Sequence, residues 1–381
     1  MQIENSRRYD LDWLRIIVFG LLIFYHVGMF FVPWGWHIKN NQIYEGLRWP
    51  MLFLNQWRLP ILFVISGMGT AYALGKRTIW EFIKERNARL GIPLLFGMVV
   101  IIPPQVYIER LAYDHFTGNY FDFWINSAFQ GIYPEGNFSW HHLWFLPYLL
   151  VFSILLSPIL HYLQKNPSAL LITWVNNHIK KNPYWIFWLI LPLYLFESLL
   201  EPFFDVTHNL IWDWFNFISS MTLFWYGFLL ISIRKTFWHA VLQIKRNTLI
   251  IGIICFLGQV LIWLFLEDGV VVHFSEALLK VTNIWAWILT LFGFGSAYLN
   301  RPSRALAYAN RAVYPFYILH QTITVILGYF IYQSGWGLLP KALFLVTGTF
   351  GISFLIYELI IRRIALIQPL FGVKKIAGKE T

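Results

Sequence analysis

Long unbroken runs of apolar residues dominate the chain, separated by short stretches that are basic or rich in aromatics. About ten of these runs can cross the roughly 30 Å of a bilayer's hydrocarbon as helices. They lie near Trp13–Phe31, Met51–Leu74, Leu90–Ile108, Leu143–Leu163, Tyr184–Leu200, Trp214–Ile233, Leu249–Leu266, Val281–Leu299, Val313–Tyr332 and Ala342–Ile361. A membrane barrel would instead alternate apolar and polar residues over segments of about ten. In hydrocarbon a helix satisfies its backbone groups within itself. The pattern therefore predicts an all-α, polytopic integral membrane protein with about ten transmembrane helices.

Charge orients those spans. With the N-terminus inside, all but six of the 29 Lys and Arg fall in the inner segments. The six are Lys39, Arg48, Arg58, Arg110, Lys280 and Lys341. Cytoplasmic loops collect Lys and Arg, so the helix count and an N-in, C-in topology support each other. The first run has the basic flank of a signal peptide, but it is too long and no small-x-small cleavage site follows. The longest outer stretch, about Glu109 to His142, reads as a lid or a re-entrant segment. A single transmembrane domain over residues 1–381, with no separate soluble domain, is expected.

Composition narrows the class further. Hydrophobic residues make up 58% and charged residues 13%, about half the usual soluble share of roughly 25%. Disorder would need low hydrophobicity and high charge. The net charge of +10 follows from the positive-inside bias and does not call for nucleic acid as a partner. The single cysteine, Cys255, excludes an intrachain disulfide and a multi-cysteine metal site.

Candidate chemistry lies where polar groups fall inside apolar runs, since an ionisable group there costs several kcal/mol unless it faces the bundle interior. On the first helix Arg15 precedes His26 by eleven positions, close to three turns, which puts both on nearly one face about 16 Å apart. Either Arg15 is a snorkelling anchor and His26 a satisfied core histidine, or the face serves function. Arg58 lies about two turns into the second helix and needs an anion or carbonyls. Ser66, Gly67 and Gly69 thin that helix for close packing or for a ligand. Arg86 and Arg89, three apart on the inner side, suit a phosphate clamp or plain positive-inside bias. His141 and His142 stand at an aromatic-rich outer interface and diverge by about 100° on a helix, a poor joint metal site. His320 lies about two turns from the inner end of the ninth run, and Glu358 can pair with Arg362.

At these residues the chain resembles the acyltransferase 3 family of membrane acyltransferases, in order and over nearly its whole length. Arg15 and His26 fit an R-x10-H pattern, FVISGMG fits F-x-x-SG, and Arg86-Asn87-Ala88-Arg89 fits R-x-x-R. HLWFL (His142 to Leu146) and YPFYILHQ fit further family blocks. WRLPILFVISG, ERNARLGIPLLF and HHLWFL look most like the branch linked to O-succinylation of periplasmic glucans, and Arg58 belongs to that branch pattern. Met68, where the family often has an aromatic residue, departs from it, and there is no sign of the fused hydrolase-like domain that some members carry.

The resemblance implies transfer of an acetyl or succinyl group from cytoplasmic acyl-CoA to a hydroxyl of a carbohydrate acceptor, commonly extracytoplasmic, in a bacterial inner membrane and without a metal. Catalysis is expected from His26, Arg15 and Arg58, with His26 a general base or an acylated intermediate and Arg58 an oxyanion donor or a succinyl-carboxylate partner. Donor binding is expected from Arg86, Arg89, Ser66 and Gly67, and substrate contacts from His142 and His320. Two rival expectations are a membrane-bound O-acyltransferase using His320 and a secondary transporter with His26, Arg58 and His320 along its path.

Overall fold

The computed structural model describes residues 7–75 and 77–373, so Lys76, Lys374, Lys375 and Lys379, which the positive-inside pattern puts in inner segments, lie outside the described residues. The described chain is helical, with one isolated bridge between Ile132 and Phe138. The principal helices are α1 (Tyr9–Met29), α2 (Arg48–Leu74), α3 (Ile79–Ala112), α4 (Tyr120–Asn126), α5 (Phe145–Lys165), α6 (Leu170–Lys181), α7 (Ile190–Leu199), α8 (Trp214–Ser232), α9 (Arg234–Phe265), α10 (Val270–Tyr298), α11 (Arg304–Ile331) and α12 (Leu338–Ile356). Short 3-10 and π turns extend several of them.

Among the described residues, nine helices are long and apolar enough to cross a membrane, against about ten expected. The run expected at Val313–Tyr332 lies in α11, which has ample length at 28 residues but carries Arg304, Arg311, His320, Gln321 and several threonines. Those polar residues are what set it apart from the nine. The structure also begins α11 well before Val313, so His320 lies in mid-helix and not two turns from its inner end.

The described residues pack as two compact units. The first takes the chain up to Val18, then Phe53–Ile83 and Val151–Ala307. Its interior holds Phe152, Phe224, Phe237, Trp285 and Phe292, all fully buried. Asp10, itself buried, is paired with Arg8, whose guanidinium lies 3.6 Å from the centre of the Trp238 ring and donates to Ser296. α2 and α8 cross at Gly67 and Gly227. A Cβ on Gly67 would lie 1.8 Å from the Phe224 carbonyl oxygen, and one on Gly227 1.9 Å from that of Val64. Only glycine permits backbones to approach so closely.

The second unit takes Phe19–Leu52, Lys84–Leu150 and the chain from Tyr308 on. Its core includes Val27, Phe30, Phe31, Ile38, Val325, Ile331 and Leu345. α3 widens into π turns at Asn87–Gly91 and Gly97–Ile101. π turns are rare and often mark functional sites. Each is fastened to α11: Tyr314 donates to the Arg89 carbonyl at 3.2 Å and Thr322 to the Ile101 carbonyl at 2.7 Å. These two residues bracket His320 in sequence.

Candidate active site

The second unit brings three of the expected site histidines together. His26, in the last turn of α1, is half-buried, while His320 is fully buried on α11. Their rings stack at 4.9 Å, with His26 Nδ1 2.7 Å from His320 Nε2. The His142 ring meets that of His320 edge-on at 5.2 Å.

Hydrogen bonding assigns the protons of this pair. His320 Nδ1 lies 2.7 Å from the Tyr317 carbonyl oxygen. A carbonyl only accepts, so Nδ1 holds the proton and, in the neutral ring, Nε2 holds a lone pair. His26 Nδ1 must then donate to His320, which places the lone pair of neutral His26 on Nε2. His320 thus orients His26 and sets its tautomer, the service that the buried carboxylate renders in a hydrolytic triad.

His142 is bound differently. Its Nε2 donates to the Ile318 carbonyl at 3.0 Å, and its own carbonyl accepts from Tyr317 at 2.8 Å. Its Nδ1 faces Gln105 Nε2 at 3.5 Å. From there a buried polar circuit runs outward through residues that sequence reasoning missed. Gln321 donates both to Gln105 Oε1 and to His37 Nε2, each at 3.0 Å. His37 Nδ1 is paired with the Glu109 carboxylate, which also accepts from Tyr133 at 3.1 Å. The His141 ring lies beside His37 and Tyr133, at 4.7 and 4.5 Å. Burial in the loop pushes the Tyr133 hydroxyl upward in pKa, with Glu109 adding to the effect, so it stays a donor. Among the described residues, no group of three or more His, Cys, Asp and Glu is arranged to hold a metal ion.

Arg86 and Arg89 also belong to this unit, at the first π turn. The wider turn departs from regular α-helical spacing. Glu85 stands close to both, 3.7 Å from Arg86 Nε and 3.8 Å from an Arg89 terminal nitrogen. The pair thus already faces one anion.

The other expected residues belong to the first unit. Arg15 is ion-paired to Asp12 at 3.5 Å, and α1 continues unbroken from it to His26. Arg58 is 2% exposed, and its guanidinium meets Asn55 Oδ1 at 3.4 Å. The Ser66 carbonyl accepts from Thr70 at 3.0 Å, and Gly67 is spent on the α8 crossing.

Comparison with known proteins supplies the chemical class. A family model described as an acyltransferase domain matches residues 8–358. Similar proteins include Glucans biosynthesis protein C from Escherichia coli strains K12 / DH10B, O81 (ED1a) and O6:K15:H31 (536 / UPEC). Each is 24% identical over 400 residues, covering 99% of this chain and 97% of the relative. No solved structure matches the chain.

Proposed function

Because the chain belongs to the acyltransferase 3 family, we propose that it is a membrane O-acyltransferase that moves an acetyl or succinyl group from acyl-CoA to a hydroxyl of a glucan-like carbohydrate. The observation that carries the mechanism is the His26–His320 pair, with its lone pair on His26 Nε2. The family match favours acyl transfer over solute transport. The positive-inside pattern supports an N-in arrangement in a bacterial inner membrane, with the donor inside and the acceptor outside.

In the proposed reaction His26 Nε2 takes the proton of the acceptor hydroxyl as general base. The oxygen attacks the thioester carbonyl and a tetrahedral oxyanion forms. The C–S bond then breaks, the ester is released, and His26 returns the proton to the departing thiolate. His26 is favoured over His320 as that base, because the His320 Nδ1 proton is held by Tyr317 and its Nε2 lone pair by His26. His142 and His320 are proposed as supports of the site, and Arg15 as the cation that balances Asp12 at the far end of the same helix.

Arg86 and Arg89 are proposed to receive the phosphates of the donor, in competition with Glu85. That competition gives a test with two signs. With purified protein in liposomes, a CoA thioester and a glucan oligomer, mass spectrometry of the glucan should show one added acyl group per modified hydroxyl. Arg86→Ala with Arg89→Ala should raise the donor KM about tenfold or more, the scale of one lost charge-assisted hydrogen bond. Glu85→Gln should lower it. Absence of acylated glucan with both acetyl-CoA and succinyl-CoA would overturn the donor and acceptor assignment. Unchanged KM in both variants would overturn the clamp alone.

A further inference from the structure

A cleft of about 740 Å³ opens in the first unit, within the size range of small-molecule sites. It is lined by Arg77, Thr78, Ile79, Trp80, Glu81, His161 and Lys165. The acyl-transfer reading uses none of these residues.

Local structure sets how the charged groups of the cleft are placed. After α2 ends, Arg77 turns back and donates to the Ala73 carbonyl at 3.2 Å, a carbonyl near the helix end. This occupies one of its five N–H donors. Thr78 and Glu81 then form a capping box: the Thr78 amide donates to the Glu81 carboxylate at 2.8 Å and the Glu81 amide to Thr78 Oγ1 at 3.3 Å. The one acidic side chain of the cleft is thereby held over the start of α3. Opposite it, His161 and Lys165 lie four apart in the last turns of α5 and share a face. Lys165 is exposed. His161 Nδ1 is buried without a hydrogen-bond partner, an arrangement that is unfavourable unless something completes it. Trp80 presents an indole that is 73% exposed.

We infer that this cleft is a binding site for a phosphate group that carries a larger apolar or aromatic body. Arg77 and Lys165 supply the positive charge, His161 completes a hydrogen bond with a phosphate oxygen, and Trp80 packs against the attached body. A guanidinium with a nearby ammonium is a strong arrangement for phosphate recognition. Two sources share this chemistry. One is an anionic phospholipid headgroup, which basic pockets between membrane helices bind and beside which Trp is at home. The other is a phosphorylated soluble molecule such as a nucleotide-bearing cofactor. The inference stands apart from the acyl-transfer reading, since Arg77 and Lys165 have no part in the histidine pair.

The experiment uses the full chain in detergent and two probes, phosphatidylglycerol followed by native mass spectrometry and free coenzyme A followed by titration calorimetry. The wild-type chain should hold at least one of them, more weakly as salt is raised. Arg77→Gln with Lys165→Glu should weaken that binding about tenfold or more. Retention of phosphatidylglycerol over phosphatidylcholine, lost in the variant, assigns a lipid headgroup. Coenzyme A binding lost in the variant assigns a soluble phosphate. The inference is overturned if neither probe binds, or if the variant binds both as the wild type does. Lys165→Glu alone changes an exposed side chain and carries the same comparison if the double variant fails to fold. Glucan acylation at saturating donor is read in parallel, so failure of the cleft is separable from failure of the transfer chemistry.

Discussion

His26→Ala should lower the rate of acyl transfer by about 10²–10⁴-fold, the usual contribution of general-base assistance, while the chain reaches the membrane at its normal level. The size follows from what the substitution removes. An alcohol is a poor nucleophile until its proton is taken, and the acceptor can lose that proton only to a base within hydrogen-bond reach. His26 Nε2 is the imidazole nitrogen that the hydrogen bonding of the pair leaves with a lone pair. The same truncation exposes His320 Nε2, which loses its donor. His26→Gln is the sharper variant, since its amide can still donate to His320 while offering no basic nitrogen. It should preserve thermal stability and still lose transfer. Thermal unfolding of the purified variant measures the first, and single-turnover acylation of a glucan oligomer by reconstituted protein the second. Wild-type rates in His26→Gln would remove the base from the mechanism and leave His26 as a structural partner of His320.

Much of this site could be read from the sequence, because an ionisable side chain in hydrocarbon needs a reason to be there. His26 and His320 stand out on that ground, and His142 by its place at the aromatic-rich outer interface. Their association does not, since His26 and His320 are 294 positions apart and no local pattern links them. The buried circuit through Gln105, Gln321 and His37 escaped notice for a different reason. Glutamine carries no charge, so it raises no alarm in an apolar run, and the apolar pattern puts Glu109 at the start of the outer stretch. In the structure Glu109 belongs to α3, which runs on to Ala112. Glu85 escaped because Arg86 and Arg89 were read by their own charge, without the acid beside them. The two π turns of α3 fall near Gly91, Pro93 and Gly97, residues that signal an irregular helix without specifying its form. α11 marks the limit of hydropathy as a guide. Two of the polar residues that lower its apolar character, His320 and Gln321, belong to the site.

Replacing His320 separates orientation from proton transfer. His320→Leu should lower kcat by about 10²-fold or more, with the donor KM unchanged. Leucine cannot accept the His26 Nδ1 proton, so the His26 ring loses both its preferred tautomer and its anchor, and a base held about 1 Å off its position loses rate on that scale. His320→Asn should retain far more activity, because its amide oxygen can accept the same N–H. Combining His26→Ala with His320→Leu should cost no more than His26→Ala alone, since residues that act as a unit are non-additive. The order of the single variants decides between the two histidines. A chain that keeps transfer in His26→Ala and loses it in His320→Ala would make His320 the base. That result would require His320 Nε2 to face substrate in the wild-type chain, where the 2.7 Å contact with His26 occupies it. The Tyr317 carbonyl gives a second check on the same geometry. It holds the His320 Nδ1 proton in place, so the Nδ1 proton of wild-type protein should exchange slowly in nitrogen-resolved NMR of labelled histidine. In His26→Gln that resonance should persist, because the bond to Tyr317 does not depend on the imidazole it serves.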